Sequence, residues 1–133
     1  MKIPFIDLKT QYLQIEKSIQ KSINRVLEHG KFINGPEVNE FEESLSLFTS
    51  AKHSITCGNG TDALTIALLA LNAKASDAVF VPSFTYIASA ESIALVGATP
   101  YFVDVGIDYN ICPKSLEVAI DDAKKNGHKP RIV

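Results

Sequence analysis

Near the start of the chain, Leu8, Tyr12, Ile15, Ile19, Ile23 and Val26 recur at steps of three and four. That period places them on one stripe of an amphipathic helix, which Asp7 can cap and Gly30 can end. After a short connection over residues 31–34, Gly35-Pro36-Glu37 predicts a second helix. Proline suits the first helical position, and Glu37 suits the positive end of the dipole. The apolar stripe of this helix is Val38, Phe41, Leu45 and Phe48. From residue 53 the pattern changes: residues 53–57 predict a short strand, and a helix follows over about 61–71. Val79-Phe80-Val81 predicts a strand closed by Pro82, then residues 85–96 a helix running up to Gly97. Residues 99–105 predict a third strand, and Pro113 opens a helix with Leu116, Val118, Ala119 and Ile120 as its apolar residues. Arg131-Ile132-Val133 reads as the opening of a fourth strand. Strands alternating with helices predict an α/β fold, a mostly parallel sheet with helices on both faces.

On this pattern the chain divides into an N-terminal helical segment, residues 1–52, and an α/β part, residues 53–133. There are no internal repeats, low-complexity tracts or obvious linkers. The chain stops as a strand begins, just after the helix-to-strand signal Asn126-Gly127, which predicts truncation at the C-terminus. Its 133 residues suffice for one domain with a core, since domains cluster near roughly 100–150 residues. With 13 basic and 15 acidic residues the net charge is −2, which favours neither nucleic acid nor an anionic membrane as partner. Asp7 and Lys9 interrupt the apolar run a secretory leader would need after Met1-Lys2-Ile3-Pro4-Phe5, and no stretch is long enough to span a bilayer.

Cys57 and Cys112 are far apart and form no C-x-x-C motif, which argues against a disulfide framework or zinc site and makes a reducing cytoplasm the default. Both are expected to be small buried or half-buried residues. His29, His53 and His128 lie in unrelated segments without metal-ligand spacing, and each is expected at the surface or at an element end.

The most specific local feature is Cys57-Gly58-Asn59-Gly60-Thr61-Asp62-Ala63-Leu64, between the expected strand and helix. Glycines at 58 and 60 permit backbone angles closed to other residues and let a ligand approach the main chain. The following helix aims free N–H groups and its positive dipole end at that ligand, a corner suited to phosphate, and Thr61 can add a hydroxyl hydrogen bond. The plainer alternative is a tight turn in which Thr61 or Asp62 merely caps the helix. Gly58-x-Gly60-x-x-Ala63 also matches the dinucleotide fingerprint, which needs an acidic residue at the end of the next strand. That strand ends Val81-Pro82-Ser83-Phe84 without a carboxylate, and Asp77 precedes it, so the dinucleotide reading loses ground.

The next loop, Pro82-Ser83-Phe84-Thr85-Tyr86, falls at the carboxyl end of its strand, where α/β folds bind ligands. A phosphate held by the first loop and an aromatic ring from the second could clamp a flat, phosphorylated cofactor. Tyr86 could equally be a helix-face core aromatic, and Ser83 and Thr85 could simply cap the following helix.

Five blocks then occur in a telling order: Phe5-Ile6-Asp7-Leu8; Gly35-Pro36-Glu37-Val38 with Phe41-Glu42; Asn59-Gly60-Thr61-Asp62-Ala63-Leu64; Pro82-Ser83-Phe84-Thr85-Tyr86; and Gly97-Ala98-Thr99-Pro100 with Val103-Asp104-Val105. Together they closely resemble the start of the DegT/DnrJ/StrS sugar aminotransferases, over essentially the whole chain. The resemblance implies the fold of aspartate aminotransferase (fold type I), of which this would be the N-terminal part of the large domain, with pyridoxal 5'-phosphate (PLP) bound at a homodimer interface. It implies that Gly60 and Thr61 hold the PLP phosphate and that Tyr86 stacks on the pyridine ring. The family's Schiff-base lysine, the acid facing the pyridine nitrogen and a further phosphate-binding serine would lie beyond Val133, leaving this chain alone inactive. Asp104 belongs to another loop in that pattern and reads as a strand-end carboxylate.

The implied chemistry is amino transfer from glutamate to a nucleotide-linked keto-sugar, in surface-polysaccharide or lipopolysaccharide synthesis. The blocks are most similar to aminotransferases acting on UDP-linked 3-keto sugars, especially 2-acetamido-3-oxo-glucuronate; amination at C4 of a 4-keto-6-deoxy sugar is the rival. A non-catalytic or regulatory relative, or a sugar dehydratase on the same frame, would share these residues.

Overall fold

The structure is a computed structural model and describes residues 5–133. Residues 1–4, part of the leader argument above, lie outside the described residues. The chain separates into two compact units, with the division between Thr56 and Cys57.

The first unit is helical. Helix α1, Leu8–His29, starts where the Asp7 carboxylate accepts from the Thr10 N–H at 3.0 Å and the Thr10 hydroxyl at 2.7 Å. It stops at Gly30, whose left-handed backbone (φ +66°) lets its N–H close onto the Val26 carbonyl. Helix α2, Pro36–Thr49, opens with proline in its first turn as the sequence predicts. Charge rather than packing joins them: Arg25 donates to Glu37 at 2.8 Å and to Glu40 at 2.7 Å, while His29 Nε2 lies 3.0 Å from Glu37. Glu37 is held below its usual pKa by its hydrogen bond with His29 first, and by Arg25. Both apolar stripes have the helical period, yet only Val26, Val38 and Leu45 among their members are even half-buried.

Residues 53–57 do not form the expected strand. A strand persists only where neighbours satisfy its backbone groups, and no strand among the described residues pairs with this run. Side chains of α2 take that place: Glu42 Oε1 accepts from the Thr56 N–H at 2.7 Å and the Thr56 hydroxyl at 2.8 Å, and Ser46 donates to Ser54 at 3.0 Å. Ile55, the one large apolar residue of the run, is 84% exposed.

The second unit, Cys57–Val133, is α/β. Its elements are α3 (Gly60–Ala70), β1 (Asp77–Pro82), α4 (Ala88–Leu95), β2 (Thr99–Val103), α5 (Pro113–Lys125) and β3 (Lys129–Ile132). The sheet is parallel in the order β2-β1-β3, with Val79 opposite Pro100 and Val81 opposite Phe102. Pro100 and Pro130 sit in the two edge strands, where a missing N–H is tolerated. Alternation along β1 builds two cores. Val79 and Val81 pack with Leu68 of α3 and Ala90 and Ile93 of α4, whereas Ala78 and Phe80 pack with Val103 and with Ala123 of α5. Helices therefore cover both faces, as predicted.

Several bounds differ from the sequence reading. Helix α4 begins at Ala88 rather than near 85, and β2 ends at Val103, with Val105 instead making an isolated antiparallel bridge to Ile111. β3 starts two residues earlier than expected, because Lys129 N–H already pairs with Ser76 O. On α5, Val118 is exposed and the fully buried residue is Ala123. Cys112 is half-buried as expected, but Cys57 is exposed, lying in the turn ahead of α3 with its thiol 3.3 Å from Asn59 O. No helix among the described residues is long and apolar enough to cross a membrane.

Candidate functional site

Helix α3 packs chiefly against α4. Leu68 belongs to the same core cluster as Val79, Val81, Ala90 and Ile93, and Arg131 ties the far end of the helix to the start of β1. Its guanidinium donates to Leu71 O at 2.6 Å, Asn72 O at 2.8 Å and the Asp77 carboxylate at 2.8 Å. The C-terminal end of α3 is thereby fixed at the amino end of β1. The loop after β1 opens at the opposite, carboxyl end of that strand, where α/β sheets bind ligands.

The first turn of α3 is capped by Asn59, not by Thr61 or Asp62. Asn59 Oδ1 accepts from Asp62 N–H at 2.9 Å, and its Nδ2 donates to the Asp62 carboxylate at 3.0 Å, turning that charge back toward the cap. Ala63 N–H starts the ladder on Asn59 O. The N–H groups of Gly60 and Thr61 thus precede the helical ladder and remain to bind something outside it. Asn59 was the residue missed in sequence, where Asn59, Thr61 and Asp62 are all competent caps.

The glycines act differently from expectation. Neither Gly58 nor Gly60 has a positive φ. A Cβ on Gly58 would come within 2.8 Å of Asp62 Oδ2, whereas a Cβ on Gly60 would meet nothing within 4 Å. The space beside Gly60 is therefore open, and any side chain at 60 would enter it. A phosphate fits that corner: two N–H donors, the half-buried Thr61 with its hydroxyl, and the helix dipole.

In the loop after β1, Tyr86 is not a core aromatic. It precedes α4, is 78% exposed, and its carbonyl accepts from Ser89 N–H. Neither Ser83 nor Thr85 caps α4, which has no side-chain cap. Ser83 N–H donates to Val103 O at 2.8 Å and its hydroxyl lies 3.4 Å from Asp104, while Thr85 lies 3.4 Å from Ser89. Asp104 is an exposed carboxylate just past β2, as read from sequence. Asp77 is buried at the amino end of β1, far from any ribose position a dinucleotide would require.

The family model of the DegT/DnrJ/EryC1/StrS aminotransferases matches residues 13–126. The chain belongs to that family. Among its relatives is UDP-2-acetamido-2-deoxy-3-oxo-D-glucuronate aminotransferase of Pseudomonas aeruginosa, 49% identical over 92% of this chain and 34% of the relative. The crystal structure of a DegT/DnrJ/EryC1/StrS aminotransferase from Brucella abortus superposes with a TM-score of 0.90 at 44% identity, covering 98% of this chain and 36% of that one. A PLP-form structure from Streptococcus pneumoniae superposes with a TM-score of 0.75 at 34% identity, over 90% and 30% of the two chains. This chain spans about a third of the length of these relatives.

Proposed function

We propose that this chain is the cofactor-gripping part of a PLP-dependent aminotransferase acting on a nucleotide-linked keto-sugar, with glutamate as amino donor. The observation that carries it is the open first turn of α3, where the N–H groups of Gly60 and Thr61 precede the helical ladder and the space beside Gly60 is empty. Gly60 and Thr61 would bind the cofactor phosphate, and Tyr86, exposed on the loop after β1, would lay its ring against the pyridine. PLP, when bound, supplies the electron sink that lets an amino group move between carbon skeletons. The chain's own contribution is grip and orientation: two main-chain donors and a hydroxyl fix the phosphate, and the tyrosine face limits tilt of the ring. The lysine that moves the proton is proposed to lie beyond Val133, consistent with the short span of this chain against its relatives. The second unit is accordingly read as the first part of the PLP-binding domain, in a cytoplasmic homodimer serving polysaccharide synthesis.

For the substrate, the 49% identical relative favours a UDP-linked 3-keto sugar related to 2-acetamido-3-oxo-glucuronate. The test is to incubate the purified protein, as its gene encodes it, with PLP, glutamate and a panel of keto-sugar nucleotides. Amination at C3 of the UDP-3-keto sugar is the expected result. A product aminated only at C4 refutes that substrate, and no amino transfer with any of them refutes the aminotransferase reading.

A further inference from the structure

We propose that Tyr109 is a positioning residue, its ring holding the loop after β1 in the place from which Tyr86 reaches the cofactor. The inference deepens the reading above and rests on it for the role of Tyr86.

Four described non-glycine residues have left-handed backbone: Asn34, Ser50, Asn72 and Tyr109. Asparagine visits that region readily and Ser50 ends a helix, but a bulky aromatic at φ +62° is an outlier that its surroundings must impose. Those surroundings are visible. Gly106 N–H donates to Asn110 O at 2.8 Å, Tyr109 N–H to Gly106 O at 3.0 Å, and Asp108 accepts from the Asn110 N–H and amide at 3.2 and 3.0 Å. The bridge from Val105 to Ile111 and the bond from Cys112 N–H to Asp104 O close the base of the turn against the start of α5. Tyr109 therefore stands on a fixed platform.

The loop it meets is bonded through backbone at its ends but has weak side-chain ties. Both side-chain contacts at its ends, Ser83 with Asp104 and Thr85 with Ser89, are long at 3.4 Å, and α4 begins without a side-chain cap. At the apex, the Phe84 ring lies 5.7 Å from the Tyr109 ring at 36°, within the range of a favourable aromatic pair. Phe84 and Tyr109 are both more than two-thirds exposed, and their ring pair is an apolar tie of the loop at that point. Tyr86 follows two residues later, and its direction depends on where Phe84 is pinned.

The experiment compares Tyr109→Phe, which keeps the ring, with Tyr109→Asn, which tolerates the left-handed backbone but loses the ring. Both are made in the protein as its gene encodes it, with Tyr86→Ala alongside. Hydrogen exchange is followed at Ser83, Ser89 and Ala90, whose amides are hydrogen-bonded at the two ends of the loop. Retention of PLP and its absorbance are read on the same samples. Tyr109→Asn should exchange several-fold faster at those amides at an unchanged melting temperature, and should shift the cofactor absorbance in the direction Tyr86→Ala shifts it. Tyr109→Phe should match the parent in both. Parent-like exchange in Tyr109→Asn, or equal damage from phenylalanine, overturns the proposal. A loosened loop with unaltered absorbance, while Tyr86→Ala alters it, overturns the link to the cofactor. Parent-like PLP binding in Tyr86→Ala is instead the failure of the functional reading, and the exchange measurement still decides whether Tyr109 holds the loop.

Discussion

At Gly60 the needs of fold and ligand can be separated. A Cβ there meets nothing within 4 Å and the backbone is ordinary helix, so Gly60→Ala should leave the melting temperature unchanged or raised. The same methyl would crowd the phosphate, and PLP retention after dialysis should fall. Thr61→Val should cost a hydrogen bond to a charged group, about 1.5–3 kcal/mol, or roughly ten- to a hundredfold in PLP affinity by titration. Because Asn59 and not Thr61 caps the helix, that change should leave stability nearly untouched, whereas Asn59→Ala should lower it by about 1 kcal/mol in urea denaturation. Tyr86→Phe should be nearly silent in the cofactor's absorbance and Tyr86→Ala should not, since stacking uses the ring face; equal damage from both would place the function in the hydroxyl. The Gly60-Thr61 corner was legible in sequence because a helix start is a local event. The identity of its cap was not, because Asn59, Thr61 and Asp62 are all competent and only the dihedral angles choose among them.

Between elements, Arg131 on β3 joins the end of α3 to the start of β1 through three hydrogen bonds. Asp77, buried at that junction, is held below its ordinary 3.8, first by the hydrogen bond from Arg131 and further by the Lys74 N–H, against the opposing effect of burial. A carboxylate with a lowered folded pKa stabilises the native state above its unfolded value, and that contribution disappears as pH falls through the folded one. Arg131→Met should therefore destabilise the protein more at pH 7 than at pH 3, as read by urea denaturation at the two values. Equal losses at both would show that Arg131 acts only through the carbonyls of Leu71 and Asn72. Sequence spacing gave no hint of this tie, because its members are 54 to 60 residues apart.

For the whole chain, the outstanding feature is the uncovered apolar face of α1, where Leu8, Tyr12, Ile15, Ile19 and Ile23 are each at least 37% exposed. A contiguous face of this kind marks a surface that associates. Residues 1–133 expressed alone should bind a hydrophobic dye and self-associate on size exclusion, and Ile15→Lys with Ile19→Lys should reduce both. A monodisperse monomer that binds no dye would contradict this. The helical period, the caps at Asp7 and Gly30, the alternation along β1 and the glycine-rich start of α3 all depend on residues a few positions apart, so the sequence by itself determined them. The α/β class followed from their alternation. Tertiary structure alone decided the rest. Residues 53–57 are strand-like in composition, yet a strand is a property of pairs, and with none paired to it among the described residues Glu42 and Ser46 bind the run instead. The sheet order β2-β1-β3, the clasp of Arg131 on Asp77 and the meeting of Tyr109 with Phe84 likewise join residues distant in the chain. Local propensity acts within a turn or two, whereas these contacts exist only once the chain has closed on itself.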